Sequence, residues 1–159
     1  MVRVLFVCTG NTCRSAMAEG VFRHLVEQRP AEGQPTLVAA SAGTHATDGL
    51  PASPDAVAAC REIGVDIHDH RSRRLTREML AQSDLVLVME GEHRRAVLEL
   101  DPKAAGRVHL LGEFASGPDG PGVADPLGQG AARYHETLLL LERLLAQVWQ
   151  KLVKRAHRS

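Results

Sequence analysis

No sign of charge prevails in this chain: 19 lysines and arginines are matched by 19 aspartates and glutamates over 159 residues. A surface without net charge lacks the attraction that draws a protein to nucleic acid or to an anionic membrane, so neither is expected as a partner. Basic stretches occur at Arg71, Arg73, Arg74 and Arg77, and again at Lys151, Lys154, Arg155 and Arg158. Both fit solvated helix faces and a frayed tail. Apolar runs are short, and none approaches the ~18 residues that cross a bilayer. The N-terminus carries one arginine and then a strand pattern. Neither the apolar segment nor the small-residue cleavage site of a signal peptide is expected there. Cysteine is scarce, with three residues at positions 8, 13 and 60. An odd number without framework spacing suits a reducing, cytoplasmic setting better than a disulfide scaffold. There are eight histidines, but none pairs with cysteine at metal-ligand spacing, so no metal is expected. Glycine loops of the Walker and dinucleotide-binding kinds are absent as well.

What is present is an alternation of apolar strands and amphipathic helices. Val2–Val7, Thr36–Ala40, Leu85–Met89 and Val108–Leu111 have the pattern of buried strands. Helical spacing covers Ser15–Gln28, with Pro30 and Gly33 marking its exit. Ser53 followed by Pro54 predicts a capped helix that stops at Gly64. Further helices are expected over Thr76–Gln82, Glu92–Leu100 and Ala131–Arg155, with Asp101-Pro102 ending the second of these. The glycine- and proline-rich stretch Glu113–Gly130 is expected to be a long functional loop. The alternation argues an α/β fold with a four-stranded parallel sheet and helices on both faces, as one domain over residues 1–159.

The densest chemistry lies at Cys8-Thr9-Gly10-Asn11-Thr12-Cys13-Arg14-Ser15, between the first strand and the first helix. A cysteine with an arginine six residues on is a weak pattern alone, because arginine is common here. Cys13 and Cys60 fail it, meeting Glu19 and Asp66 at that distance. Cys8 satisfies it and also has a strand before it and a helix after. Loop N–H groups and a helix N-terminus then converge beside a thiol, a geometry that binds a tetrahedral anion and favours a thiolate. Gly10 and Asn11 tolerate the positive φ that such a loop demands. A helix terminus stabilises an anion by at most ~2 kcal/mol, so loop N–H groups, the Ser15 hydroxyl and the Arg14 charge must add to it. The planar Arg14 fork is suited to two phosphoryl oxygens. The rival reading is a buried structural cysteine at a strand end.

Phosphoryl chemistry also needs an acid for the leaving group. In parallel α/β sheets ligands bind beyond the carboxyl ends of strands. Asp84 precedes the third strand and Asp101 leads into the fourth, both at the wrong end. Asp125 follows the fourth strand, in the long loop and at the end that carries Cys8. For Asp125-Pro126 the plain alternative is a turn. For Ser41-Ala42-Gly43-Thr44 three roles stay open: packing against the loop, lining its rim, or an ordinary turn.

On these pieces the chain resembles the low-molecular-weight cysteine phosphatases, also called low-molecular-weight protein tyrosine phosphatases. They are the strand–C-T-G-N-T-C-R-S start, Ser41-Ala42-Gly43, Asp84 to Met89, and Asp125-Pro126 before a final helix. The resemblance implies a flavodoxin-like three-layer sandwich, no cofactor, phosphorylated protein substrates and a phosphocysteine intermediate. It implies Cys8 as nucleophile, Arg14 as phosphate clamp and Asp125 as acid and then base. Thr9, Gly10, Asn11, Thr12, Cys13, Arg14 and Ser15 would form the phosphate-binding loop, with Asn11 and Ser15 holding it and the thiolate. Cys13 either packs or forms a disulfide with Cys8 that guards it from overoxidation.

Departures from the family pattern bear on specificity. Tyrosine-directed members usually carry a bulky aliphatic residue at the position of Thr12, often proline at that of Ala16, and aromatics where Leu127-Gly128 stands. An aromatic wall would grip a flat phosphotyrosine ring, and only Phe114 and Tyr134 are near in sequence. Thr12, with Thr9, looks like the bacterial protein-arginine phosphatases of the same family. Thr12 and Leu127 are therefore the expected specificity positions, phosphoarginine the expected substrate and phosphotyrosine the alternative. Arsenate reduction, a distant alternative, needs a downstream cysteine relay. Met89-Glu90 at the third strand end and Cys60 within a helix do not supply one. A non-catalytic anion-binding module sits poorly with an intact Cys8, Arg14 and Asp125 set.

Overall fold

The computed structural model describes residues 1–29 and 33–158, with side chains as far as Lys154. Four strands, β1 (Val2–Cys8), β2 (Leu37–Gly43), β3 (Leu85–Val88) and β4 (Val108–Leu110), form one sheet in the order β2-β1-β3-β4. Every pairing is parallel. Helices α1 (Arg14–Gln28), α2 (Pro54–Glu62), α3 (Arg77–Gln82), α4 (Gly91–Leu100), α5 (Leu111–Ser116) and α6 (Ala131–Arg158) cover its two faces.

Alternation along β1 builds both cores. Val4, Phe6 and Cys8 face one cluster, with Met17 and Phe22 of α1 and Leu138, Leu141 and Leu145 of α6. Leu5 and Val7 face the other, with Leu80 of α3 and Val97 of α4. Phe6 and Phe22 meet edge to face at 5.6 Å between ring centroids. Each is fully buried, a contribution of about 1.5–3 kcal/mol per side chain before entropy is counted. Cys8 thus leaves the sheet on the α1 side, at its carboxyl edge.

Capping follows the sequence. Ser53 accepts the N–H of Ala56 with Pro54 at the first helical position, and Thr76 accepts that of Met79. Gly64 ends α2 at φ 78° and Gly33 takes φ 79°; Pro30 lies outside the described residues. Two expectations are corrected. Strand β2 runs on through Ser41-Ala42-Gly43, because these small residues pair in register with Phe6, Val7 and Cys8. Leu111–Ser116 is helical: Leu111, expected to end the fourth strand, opens the helix, and residues 113–116, expected as loop, continue it. Its Leu111, Phe114 and Ala115 are spaced to bury one face, and Gly112 lets the chain cross: a Cβ there would lie 1.8 Å from the Pro121 carbonyl oxygen. The loop proper starts at Gly117.

Candidate active site

Between β1 and α1 the chain turns through Thr9–Cys13, and its carbonyls are tied outward. Those of Cys8 and Thr9 accept the N–H groups of Thr44 and His45 at 2.9 and 3.0 Å. That of Thr12 accepts Ser53 N–H at 2.9 Å, and that of Asn11 accepts His70 Nε2–H at 2.7 Å. In a planar trans peptide the N–H points opposite to the C=O. Among the described residues, the N–H groups of Gly10, Asn11, Thr12 and Cys13 find no protein acceptor. Asn11 takes the turn at φ 58°, and α1 begins at Arg14 with no side chain capping it. Orphan donors and an uncapped helix terminus together make a seat for an anion.

The loop is held from behind by a buried polar network. Asn11 Nδ2 donates to Ser15 Oγ at 2.8 Å and to Ser41 Oγ at 3.0 Å, while its Oδ1 receives Arg73 N–H at 2.8 Å. Ser41 donates on to Glu19 at 2.9 Å. Ser15 Oγ stands 2.9 Å from Cys8 Sγ. Since Asn11 fills one Ser15 lone pair, the Ser15 hydrogen has two acceptors in reach, the sulfur at 2.9 Å and the Ala42 carbonyl at 3.5 Å; pointed at the much nearer sulfur, it stabilises a thiolate. Gly43 closes this side: a Cβ would lie 2.5 Å from Thr9 O and 3.0 Å from Asn11 N. Of the roles open to the Ser41–Thr44 segment, packing against the loop is the observed one.

Arg14 is 2% exposed. Its Nη1 donates to the Glu90 carboxylate and, at 3.0 Å, to the carbonyl of Val123. Nη2 lies 3.4 Å from Thr9 Oγ1 and 3.9 Å from Asp125 Oδ2. One end of the fork is anchored and the other faces the loop. Asp125 is half-exposed, its Oδ1 receiving Leu127 N–H at 3.0 Å, so the Asp-Pro turn and the approach to Arg14 coexist. Asp84 sits at the opposite sheet edge, accepting Arg3 N–H at 2.8 Å. Asp101 caps the 3-10 turn that follows α4.

Thr12 is half-buried on the loop, and Leu127 is 63% exposed beside Asp125. The two aromatics near in sequence are turned inward: Phe114 and Tyr134 are 7% and 1% exposed. Tyr134 Oη meets Cys13 Sγ at 3.1 Å and Ser53 Oγ at 3.3 Å. Burial is the main cause that pushes its phenol up to about 12, which keeps it neutral. Cys13 also reaches Ser53 at 3.3 Å, and a disulfide with Cys8 requires it to leave both partners. Cys60 is buried in α2, its thiol pushed up to about 12 by desolvation and by the Glu142 charge.

Four groups escaped sequence reasoning: Glu90, His93, His70 and the Val123 carbonyl. Glu90 lies two residues past the end of β3, at the carboxyl edge, the criterion that selected Asp125. His93 occupies the third position of α4, where its Nδ1 receives the Glu90 N–H at 3.1 Å. Ligand atoms of Glu90, Glu92 and His93 lie within 4.8 Å of one another, but Glu90 is committed to Arg14 and His93 to Thr9 and the Glu90 N–H.

Known proteins resemble the chain over most of its length. Residues 3–158 match the family model described as low molecular weight phosphotyrosine protein phosphatase. A protein-arginine-phosphatase of Bacillus subtilis is 38% identical over 151 residues, 95% of this chain and 97% of its own. The solved low molecular weight protein tyrosine phosphatase of T. tengcongensis superposes with a TM-score of 0.88 at 40% identity, covering 96% of this chain and 100% of that one. A YwlE arginine phosphatase, solved as a cysteine-to-serine mutant with a phosphorylated active site serine, gives a TM-score of 0.88 at 35% identity, covering 95% of each chain.

Proposed function

The chain belongs to the low-molecular-weight phosphotyrosine protein phosphatase family and is a phosphatase, and from that premise we propose that it hydrolyses phosphoarginine in proteins through a phosphocysteine at Cys8. The observation that carries the chemistry is Cys8 Sγ held 2.9 Å from a Ser15 hydroxyl that accepts from Asn11 and has the sulfur as its nearer acceptor, the Ala42 carbonyl lying at 3.5 Å. The Cys8 thiolate attacks phosphorus in line, forming the S–P bond as the P–N bond of the leaving guanidine breaks. Inward N–H groups of the loop and the loop-facing end of the Arg14 fork hold the equatorial oxygens, where charge spreads. Asp125 gives its proton to the departing nitrogen. It then takes one from the water that opens the phosphocysteine and releases phosphate. The phosphorylated serine in the YwlE mutant supports this role for the residue at position 8.

Phosphoarginine is favoured by what surrounds the loop. Thr12 supplies a short side chain and a hydroxyl, leaving space for a branched guanidinium. Leu127 stands after Asp125-Pro126, and Tyr134 and Phe114 are buried, so none of these residues offers an aromatic face to a phosphotyrosine ring. The second reading, phosphotyrosine, is favoured by the 40% identity to the T. tengcongensis enzyme. Steady-state comparison of phosphoarginine and phosphotyrosine peptides decides between them. Wild type is expected to prefer phosphoarginine by kcat/KM, and Thr12→Ile to shift the preference toward phosphotyrosine by at least ~10-fold, as expected when one side chain reshapes a pocket. A wild-type preference for phosphotyrosine that Thr12→Ile leaves unchanged would remove the arginine assignment.

A further inference from the structure

Thr9 Oγ1 has two donors turned on it. His93 Nε2 lies at 2.8 Å and Arg14 Nη2 at 3.4 Å. The histidine's tautomer follows from its other side. Nδ1 receives the backbone N–H of Glu90 at 3.1 Å, so Nδ1 carries the lone pair and Nε2 the hydrogen. The residue is 1% exposed, and burial, followed by the Arg14 charge, holds its pKa below the ordinary histidine value. It is neutral at pH 7. Glu92 Oε1, 3.7 Å from Nε2, is too distant to claim that hydrogen. A hydroxyl has two lone pairs and one hydrogen. With both lone pairs of Thr9 occupied, only the hydrogen remains to be given, on the residue next to Cys8 and beside the Arg14 fork.

We infer that His93 is a positioning residue: its Nε2–H, together with Arg14, fills Thr9 Oγ1 and makes the Thr9 hydroxyl an obligate donor to a phosphoryl oxygen in the loop. Left unfilled, that oxygen would present a lone pair to an anion and repel it. The inference rests on the reading of Cys8–Ser15 as a phosphoryl cradle. The same ring ties the cradle to a helix end. Glu90 takes the His93 backbone N–H on its carbonyl oxygen at 3.0 Å and Arg14 Nη1 on its carboxylate, so the start of α4, the clamp and Thr9 form one unit.

The experiment compares His93→Gln, His93→Asn and Thr9→Val with wild type, reading kcat, KM, the inhibition constant of inorganic phosphate and the melting temperature. Glutamine carries an amide nitrogen at about the reach of Nε2 and restores the donor. Asparagine supplies an acceptor near Nδ1, keeping the partner of Glu90 N–H without the donor. His93→Asn is expected to weaken phosphate inhibition and raise KM about tenfold, the scale of one hydrogen bond to a charged group, with melting close to wild type. His93→Gln should recover most of that loss. Thr9→Val should show the same loss, and adding His93→Asn to it should cost nothing more. Equal losses in the glutamine and asparagine variants, or full additivity with Thr9→Val, would mean that the ring only packs, and would overturn the inference. Unchanged phosphate inhibition in His93→Asn would overturn it too. A wild type that phosphate does not inhibit at all would bring down the cradle reading itself, and this inference with it.

Discussion

At position 8 a sulfur atom stands beside a hydroxyl whose orientation is set by an amide, and that amide is set in turn by a backbone N–H from another loop. In the proposed mechanism Cys8 attacks and the loop binds, so the two tasks separate on mutation. Cys8→Ser is expected to lower kcat to background while inorganic phosphate still binds with an affinity within a few-fold of wild type, as isothermal titration would measure. Measurable turnover in that variant would contradict the nucleophile assignment. Asp125 is placed differently, half-exposed and 3.9 Å from the fork of Arg14. General acid assistance is worth ~10²–10⁴ in rate. Asp125→Asn should therefore slow substrates with basic leaving groups by about that factor, and activated aryl phosphates far less. A uniform loss across leaving groups would argue that Asp125 serves the turn alone.

The element that matters most is the β1–loop–α1 unit, and its tightest neighbour is β2. Gly43 ends β2 opposite Cys8, where a methyl group would press into Thr9 O at 2.5 Å and into Ala46 at 2.9 Å. The obstacle at Thr9 is backbone and cannot rotate away. Gly43→Ala is expected to cost about 1–3 kcal/mol, the usual range for overpacking, and to weaken phosphate binding, because the loop must shift. Urea unfolding and phosphate titration would read the two effects, and a variant of wild-type stability and affinity would refute the close approach. Helix α6 contributes at the same scale: its buried Tyr134 holds Cys13 and Ser53, linking the loop to the N-cap of α2.

Across the whole molecule, buried polar groups make stability depend on pH. The pKa of His93 is held down in the folded chain by burial and by Arg14, so the unfolded chain binds the proton more readily. Its contribution is complete above the ordinary histidine value near ~6.5 and is lost as pH falls from there through the folded-state pKa. Melting temperature should accordingly fall less steeply below pH 6.5 in His93→Gln than in wild type. Parallel curves would show that the ring carries no such linkage. His68 works in the opposite direction, raised chiefly by its hydrogen bond to Asp66 at the exposed surface, where screening leaves it little weight.

Much of this organisation was legible in the chain itself. The strand periods, the Ser53 and Thr76 caps, the Gly64 stop and the four-stranded parallel sheet follow from local spacing and turn chemistry, which act over a few residues. The position of Asp125 at the Cys8 end followed from topology, because every strand of a parallel sheet points its carboxyl end the same way. Other features depend on residues far apart in sequence. Strand β2 extends through Ser41-Ala42-Gly43 only because β1 lies alongside it, and Leu111–Ser116 is helical because its apolar face finds a core. The second layer of the site is tertiary in origin: Glu90 and His93 come 76 and 84 residues after the groups they hold. The local sequence settled the loop, its cysteine and its arginine. Which hydroxyl donates, which nitrogen carries a hydrogen and where the arginine fork is anchored were decided by packing, since a side-chain hydrogen bond exists only once the fold has brought its two ends within about 3 Å.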